Sequence, residues 1–295
     1  MVLRPILGFI GVGKVGTVLA RLLYVRGFVI GAVYSRNRTH AQVLGNSVGA
    51  NVADSASDVA STVDLIFLTV PDDVIASAAK ELSKLNLDGK AVVHTSGMHE
   101  AAVLSELELS GALIGSLHPI YPFADVEQSI VGLPGAAFGV QAESDTLRDW
   151  LKEIVVALDG KVLTIGSEQK ALYHSALVFA SNFGVTLYAI AQRLLAQVGA
   201  EKEVSALALN TLMAGMMRNL QAQGIPNALT GPFVRGDVGT IQGHLDALQT
   251  ADSELVDLYI RLALQTLPLA AARGIDTGLI ETILRKKMDD ADNHT

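Results

Sequence analysis

The sequence predicts an α/β domain followed by an all-helical one. Three observations carry that reading. An apolar run passes without a gap into Gly11-x-Gly13-x-x-Gly16. Short apolar runs alternate with helical patterns as far as Ile165, and from Ser167 onward only helical periodicity remains. The 295 residues leave room for two domains and a sizeable core, and the change of pattern divides them as 1–166 and 167–295.

Ile6 to Ile10 reads as a buried strand and Thr17 to Leu23 as the start of a helix, so the glycines stand in a strand–turn–helix. There Gly11 permits the tight turn, Gly13 lets a pyrophosphate approach the backbone, and Gly16 lets the helix lie against its strand. Gly11, Gly13, Lys14, Val15 and Gly16 are therefore the expected dinucleotide loop, with the helix N-terminus facing the phosphates. The next strand, Phe28 to Tyr34, ends at Ser35-Arg36-Asn37-Arg38. An NAD site usually places an acid there for the ribose 2′-OH, and this chain has none. Ser35, Arg36 and Arg38 suit a 2′-phosphate, so the expected cofactor is NADP(H); otherwise the arginines only solvate a loop.

Thr39 to Leu44 fits a short helix, and Asp64 to Val70 a buried strand that runs into Pro71-Asp72-Asp73. Ligands of open α/β sheets lie beyond the strands' carboxyl ends, so Val70 and Pro71 should flank the cofactor. Asp72 or Asp73 should cap a helix from Val74 to Leu82. Lys90 to His94 reads as the next strand, followed by Thr95-Ser96-Gly97, and Leu113 to Leu117 as another, ending in His118-Pro119. Two more strands, Ala136 to Val140 and Lys161 to Ile165, enclose a helix from Ser144 to Leu158. The second domain reads as helices near 167–197, 202–223, 240–248, 252–273 and 276–288, with a polar, frayed tail at 289–295.

Thirty acids against 22 bases give a net charge of −8, which argues against nucleic acid as a partner. With no cysteine, disulfides, thiolate catalysis and cysteine-ligated metals are excluded, and no HExxH or EF-hand pattern points to another metal. The longest apolar stretch, Leu177 to Leu195, carries Ser181, Asn182, Thr186, Gln192 and Arg193. It reads as a buried core helix, not a membrane span. Met1 leads directly into the first strand without room for a signal peptide, so a soluble, cytoplasmic protein is expected. Half the residues are apolar, which is consistent with a buried subunit interface.

Three groups of residues can carry chemistry. Behind an N-cap at Ser167, Lys170, His174 and Ser181 fall at i, i+4 and i+11 on one helical stripe, with Asn182 on its flank. A polar stripe on an apolar helix either meets structural partners or lines a cavity. The turn Leu229 to Thr240 contains Arg235 and Asp237, with Thr240 expected to cap a helix that carries His244 one turn in. Arg235 beside a helix N-terminus can receive a carboxylate, or it can pair with Asp237 to hold the turn. Ser96 and His118 follow strand ends, where substrate and nicotinamide would meet. No Walker loop or GxSxG elbow is present, which leaves hydride transfer with a lysine or histidine as proton donor. Lys170 or His174 would donate. Ser96 and His118 would stand near the reacting carbon, and Arg235, with Asp237 and His244 beside it, would anchor a carboxylate.

With GVGKVG, TVPDD, HTSG, SLHPIYPFA, KALYHSALVFASNF and LTGPFVRGD in this order, the chain resembles the Rossmann-like NADP oxidoreductases that carry a helical C-terminal domain of unknown function. More distantly it is similar to ketopantoate reductase, β-hydroxyacid dehydrogenases, pyrroline-carboxylate reductase and prephenate dehydrogenase. The resemblance implies an all-α domain of the 6-phosphogluconate-dehydrogenase C-terminal type that makes a homodimer and closes over the nicotinamide. It implies NADPH-dependent reduction of a small 2-oxo acid, with ketopantoate the favoured single substrate. Reduction of an imine such as pyrroline carboxylate, or a non-catalytic NADP-binding sensor, are the alternatives. Ketopantoate reductase and the β-hydroxyacid dehydrogenases carry a catalytic lysine with asparagine one turn later. Here His174 stands one turn after Lys170, whereas matching Asn182 to the later asparagine of ketopantoate reductase puts His174 at the lysine's place. Either residue can thus be the proton donor, and the resemblance implies Asn182 as the orienting residue.

Overall fold

Apolar runs too short for helices become the strands of one eight-stranded sheet in the computed structural model, which describes residues 4–292. They are β1 (Leu7–Ile10), β2 (Ile30–Tyr34), β3 (Asn51–Val52), β4 (Leu65–Leu68), β5 (Ala91–His94), β6 (Leu113–Pro119), β7 (Ala137–Ala142) and β8 (Lys161–Thr164). Their order is β3-β2-β1-β4-β5-β6-β7-β8, and all pairs are parallel except β6 with β7. This is the expected doubly wound sheet, plus an antiparallel step and a two-residue third strand that no hydrophobic run announces. β1 and β4 are buried throughout because helices cover both faces, so they read as continuous apolar runs without alternation.

Six helices belong to this sheet: α1 (Lys14–Val25), α2 (Arg38–Val48), α3 (Ala56–Thr62), α4 (Asp72–Leu82), α5 (Val126–Gly132) and α6 (Asp145–Ala157). On one face α1, α2 and α6 bury Leu19, Leu23, Leu44 and Leu151 against Phe9, Phe67 and Val93. On the other, α3, α4 and a 3₁₀ segment, Ala101–Ser110, bury Val59, Ile75 and Leu104 against Ile66, Leu68 and Val92. Six further helices follow: α7 (Lys170–Ala180), α8 (Asn182–Gln197), α9 (Lys202–Gln223), α10 (Val238–Ala251), α11 (Glu254–Ala271) and α12 (Gly278–Asp292). The compact units divide at Gly184/Val185, so α7 goes with the sheet although strand gives way to helix near residue 166. In the second unit Ile241, Leu245, Ile260, Leu267 and Leu284 form a core from α10, α11 and α12.

Several local expectations are corrected. α4 begins at Asp72 behind Pro71, so neither Asp72 nor Asp73 is its cap, and the Asp72 carboxylate turns instead to Ser96. α7 starts at Lys170, not Ser167, because Glu168 takes a left-handed backbone (φ 63°) that interrupts the helix. Ser181 then separates α7 from α8, so the helix expected over 167–197 is two helices. Asp237 caps α10 by accepting the Thr240 N–H (3.0 Å), which makes the expected cap the partner of the real one. α12 continues to Asp292, past the expected start of the tail, and 293–295 lie outside the described residues.

The stretch Leu177 to Leu195 is not a buried core helix. No residue of α8 is buried, and Phe179, Phe183, Val185 and Leu187 are exposed. By length and composition alone Lys170–Gln197 could cross a membrane, yet Ser181 breaks it in two.

Phe9 and Phe67 stack at 4.9 Å between ring centres, both fully buried in the middle of the sheet. Phe67→Ala is expected to cost about 3–5 kcal/mol in urea unfolding. An unchanged midpoint would contradict this packing.

Candidate active site

The loop after β1 is built from three glycines that do different work. Gly11 has φ 97°, and a Cβ there would lie 2.6 Å from the Thr69 carbonyl, so turn and packing both require glycine. At Gly16 a Cβ would meet the Thr69 hydroxyl and lie 2.6 Å from the Gly11 carbonyl, which lets α1 rest on the β4 end. Gly13 is the opposite case: a Cβ would meet nothing within 4 Å. Gly13 is also the N-cap of α1 and makes no side-chain cap hydrogen bond, so open space fronts the N–H groups of the first turn. The Lys14 ammonium donates to the Ala124 carbonyl at 2.7 Å, and Val15 packs on the core, so both side chains serve the fold.

A cleft of about 600 Å³ runs from this loop, lined by Gly11, Gly13, Ser35, Arg36, Val70 and Pro71 among others. These are the residues expected to hold the dinucleotide, and no acid stands at the β2 end to oppose a 2′-phosphate. Arg38 is not among the lining residues; it pairs with Asp54 at the surface.

Beyond Pro71 the strand ends of β5 and β6 carry a two-layer polar site. Ser96 is the centre of its buried layer. Its N–H donates to His94 Nδ1 (3.2 Å), and its hydroxyl donates to Asp72 Oδ2 (2.8 Å). The same hydroxyl accepts from the N–H groups of Met98 and His99, both at 3.1 Å, and its carbonyl accepts from Lys170 Nζ at 3.0 Å. Every polar atom of Ser96 is thus engaged, and it organises the loop. His94, accepting at Nδ1, donates from Nε2 to the Glu100 carbonyl (3.1 Å). The Glu100 carboxylate in turn accepts the Lys170 N–H at 3.1 Å and a Gln141 amide hydrogen, which ties α7 to β7. Lys170 is fully buried; burial lowers its pKa to about 8, against the opposing pull of Glu100 and Asp72.

The outer layer is partly exposed and surrounds Gly97. A Cβ on Gly97 would lie 2.8 Å from the His174 ring and 3.0 Å from His118 Nε2, so both imidazoles close on this glycine. The Tyr173 hydroxyl is 2.6 Å from His118 Nδ1, with the rings edge to face. Burial lowers His118 to a pKa of about 4, with Lys170 and then His174 adding repulsion, and burial raises Tyr173 to about 12. At neutral pH the pair is therefore an uncharged imidazole and a protonated phenol, and the phenol's hydrogen bond sets what Nε2 presents at Gly97.

Of the residues singled out in the sequence, the first unit brings Ser96, His118, Lys170 and His174 together. Asn182 is not joined to them by a continuous stripe: the break at Ser181 leaves it exposed at the start of α8. Arg235, Asp237 and His244 occupy the second unit. There Arg235 stands 3.9 Å from Asp237, whose carboxylate also caps α10, and His244 Nδ1 is 2.9 Å from the Tyr259 hydroxyl. Tyr173, Asp72 and Glu100 were not foreseen. Tyr173 was the most legible of them, at i+3 from Lys170 on the same face as His174.

Residues 6–97 match the family described as NADP oxidoreductase, coenzyme F420-dependent. The chain carries an NADP-oxidoreductase domain. Its second match, residues 136–266, is to a domain of unknown function, DUF2520. The cofactor of this oxidoreductase is NADP(H), in keeping with a cleft whose glycine cradle is open at Gly13. No curated protein matches the sequence. Among solved structures, a protein from Thermotoga maritima is 26% identical with a TM-score of 0.75, covering 92% of this chain and 100% of that one. One from Bacteroides fragilis, described as an NADP oxidoreductase, is 27% identical with a TM-score of 0.69, covering 90% and 98%. An imine reductase from a Pseudomonas species shares the fold at 22% identity and a TM-score of 0.63, covering 91% and 96%.

The glycines give a paired test. Gly13→Ala is expected to weaken NADPH binding by about tenfold while leaving the melting temperature nearly unchanged, since its methyl enters only the phosphate's space. Gly16→Ala should lower both, because its methyl collides with Thr69. Fluorescence titration and thermal unfolding without ligand read the two effects, and identical behaviour of the variants would refute the division of roles.

Proposed function

We propose that this oxidoreductase transfers hydride from NADPH to the carbon of a small C=N compound at Gly97, between His118 and His174. NADPH, when bound, supplies the hydride. The supporting observation is the charge state of the outer layer. An imidazole held neutral adds no repulsion to a cationic iminium, whereas an imidazolium would. Within the first unit, the ammonium nearest the histidines is spent on the Ser96 carbonyl and offers nothing to a carboxylate. His118 hands its Nε2 proton to the nitrogen of the neutral imine while its Nδ1 takes the Tyr173 hydroxyl proton, which solvent replaces; hydride then turns the iminium into the amine, and His174 is the second acid–base group. Lys170 is in this reading a positioning residue. The imine reductases and pyrroline-carboxylate reductases among the fold's relatives agree with this class of substrate.

A second reading, reduction of a 2-oxo acid such as ketopantoate, draws support from Arg235, whose guanidinium is largely exposed near the start of α10. In either case the apolar side chains exposed on α7, α8 and α9 favour a homodimer in which a second copy covers them.

The experiment follows NADPH absorbance with separate panels of cyclic imines and 2-oxo acids. Oxidation with imines is expected, and His118→Gln and Tyr173→Phe should each lower kcat, by about a hundredfold for His118→Gln, with NADPH affinity unchanged. Turnover with 2-oxo acids alone would move the assignment to the second reading. Tight NADPH binding without turnover on either panel would leave a sensor.

A further inference from the structure

We propose that Lys80 and Lys84, from the α4 side of the nucleotide cleft, share with Arg36 the recognition of the 2′-phosphate of NADP. The two walls of this cleft come from different parts of the sequence. Tyr34, Ser35 and Arg36 follow β2, whereas Val74, Ser77, Lys80, Glu81 and Lys84 come from α4 and the residues just after it. α4 buries Ile75, Ala79 and Leu82, and the cleft-lining Val74, Ser77, Lys80, Glu81 and Lys84 fall at i, i+3, i+6, i+7 and i+10 on the side next to that buried face.

Charge makes this wall more than a helix surface. The chain is acidic, with 30 Asp and Glu against 22 Lys and Arg, yet the cleft is lined by three cations and the single acid Glu81. Among the described residues, Arg36, Lys80 and Lys84 form no ion pair. Other arginines around the sheet are paired: Arg4 with Glu153, Arg21 with Glu127, Arg26 with Asp159 and Arg38 with Asp54. A phosphate monoester carries a charge of about −1.5 to −2 at neutral pH, more than one guanidinium offsets. Three unpaired cations on opposite walls of one cleft fit that charge. Lys80 also lies in the last turn of α4, where a cation favours the helix dipole. That effect would alter stability without separating NADPH from NADH.

The pair 2′,5′-ADP and 5′-AMP tests the inference by calorimetry, since they differ only in the 2′-phosphate and need no turnover. Lys80→Met/Lys84→Met is expected to weaken 2′,5′-ADP about tenfold, roughly threefold per lysine, and to move 5′-AMP by less than about twofold. In an Arg36→Ala background, some preference for 2′,5′-ADP should persist and vanish when both lysines are removed. In the wild type, raising salt should erode that preference, because exposed charges are screened over about 8 Å at physiological ionic strength. Equal weakening of both probes, or no weakening of either, would overturn the proposal. The lysines are exposed, so the variants are expected to fold, and thermal unfolding checks this.

Discussion

A fully buried ammonium must be given partners, and much of the candidate site follows from how Lys170 meets that demand. Its Nζ holds the Ser96 carbonyl and its backbone N–H holds the Glu100 carboxylate. Ser96 then fixes the loop after β5 through four more hydrogen bonds, and Glu100 anchors α7 to β7 through Gln141. Once α7 is fixed at its first residue, Tyr173 and His174 fall one turn along on the same face, against His118 and Gly97. The same charge adds to the burial that keeps His94 and His118 neutral. Position and electrostatics thus have one source.

The sheet supplies the rest. Parallel strands bring the ends of β1, β4 and β5 to one edge, where the glycine loop, Thr69 to Pro71 and His94 to Gly97 stand in sequence. The cleft is lined by Gly13, whose missing side chain leaves open space, and by Pro71, and the next residue, Asp72, is hydrogen-bonded to Ser96. The glycine-lined cleft and the polar cluster are therefore linked through the adjacent residues Pro71 and Asp72. Tight packing at Gly11 and Gly16 and openness at Gly13 are separate requirements written into one motif.

Much of this was legible because it rests on periodicity and on glycine. Buried strands such as Leu65–Leu68 read directly, as did the glycine loop and the acid-free end of β2. The resemblance to NADP oxidoreductases with a helical domain agrees with both family matches. Long-range partners were not legible. Nothing in the sequence links Asp72 to Ser96 or Glu100 to Lys170, residues 24 and 70 positions apart. The break at Ser181 was hidden because no proline or glycine marks it, so Asn182 was set on the flank of a stripe that ends before it. The exposed apolar surface of α8 also defeats single-chain reasoning, since an apolar helix is assumed to be covered by its own chain.

The charge state of the inner and outer layers is where the chemistry is most exposed to test. Nitrogen chemical shifts of the His94 and His118 rings, followed by NMR from pH 8 to pH 4, read it without substrate or cofactor. Both rings are expected to remain neutral through pH 5 and to begin protonating only toward pH 4, with His94 carrying its proton on Nε2. Titration of His118 near 6.5, as for an exposed histidine, would contradict the buried, neutral imidazole on which the proposed chemistry depends.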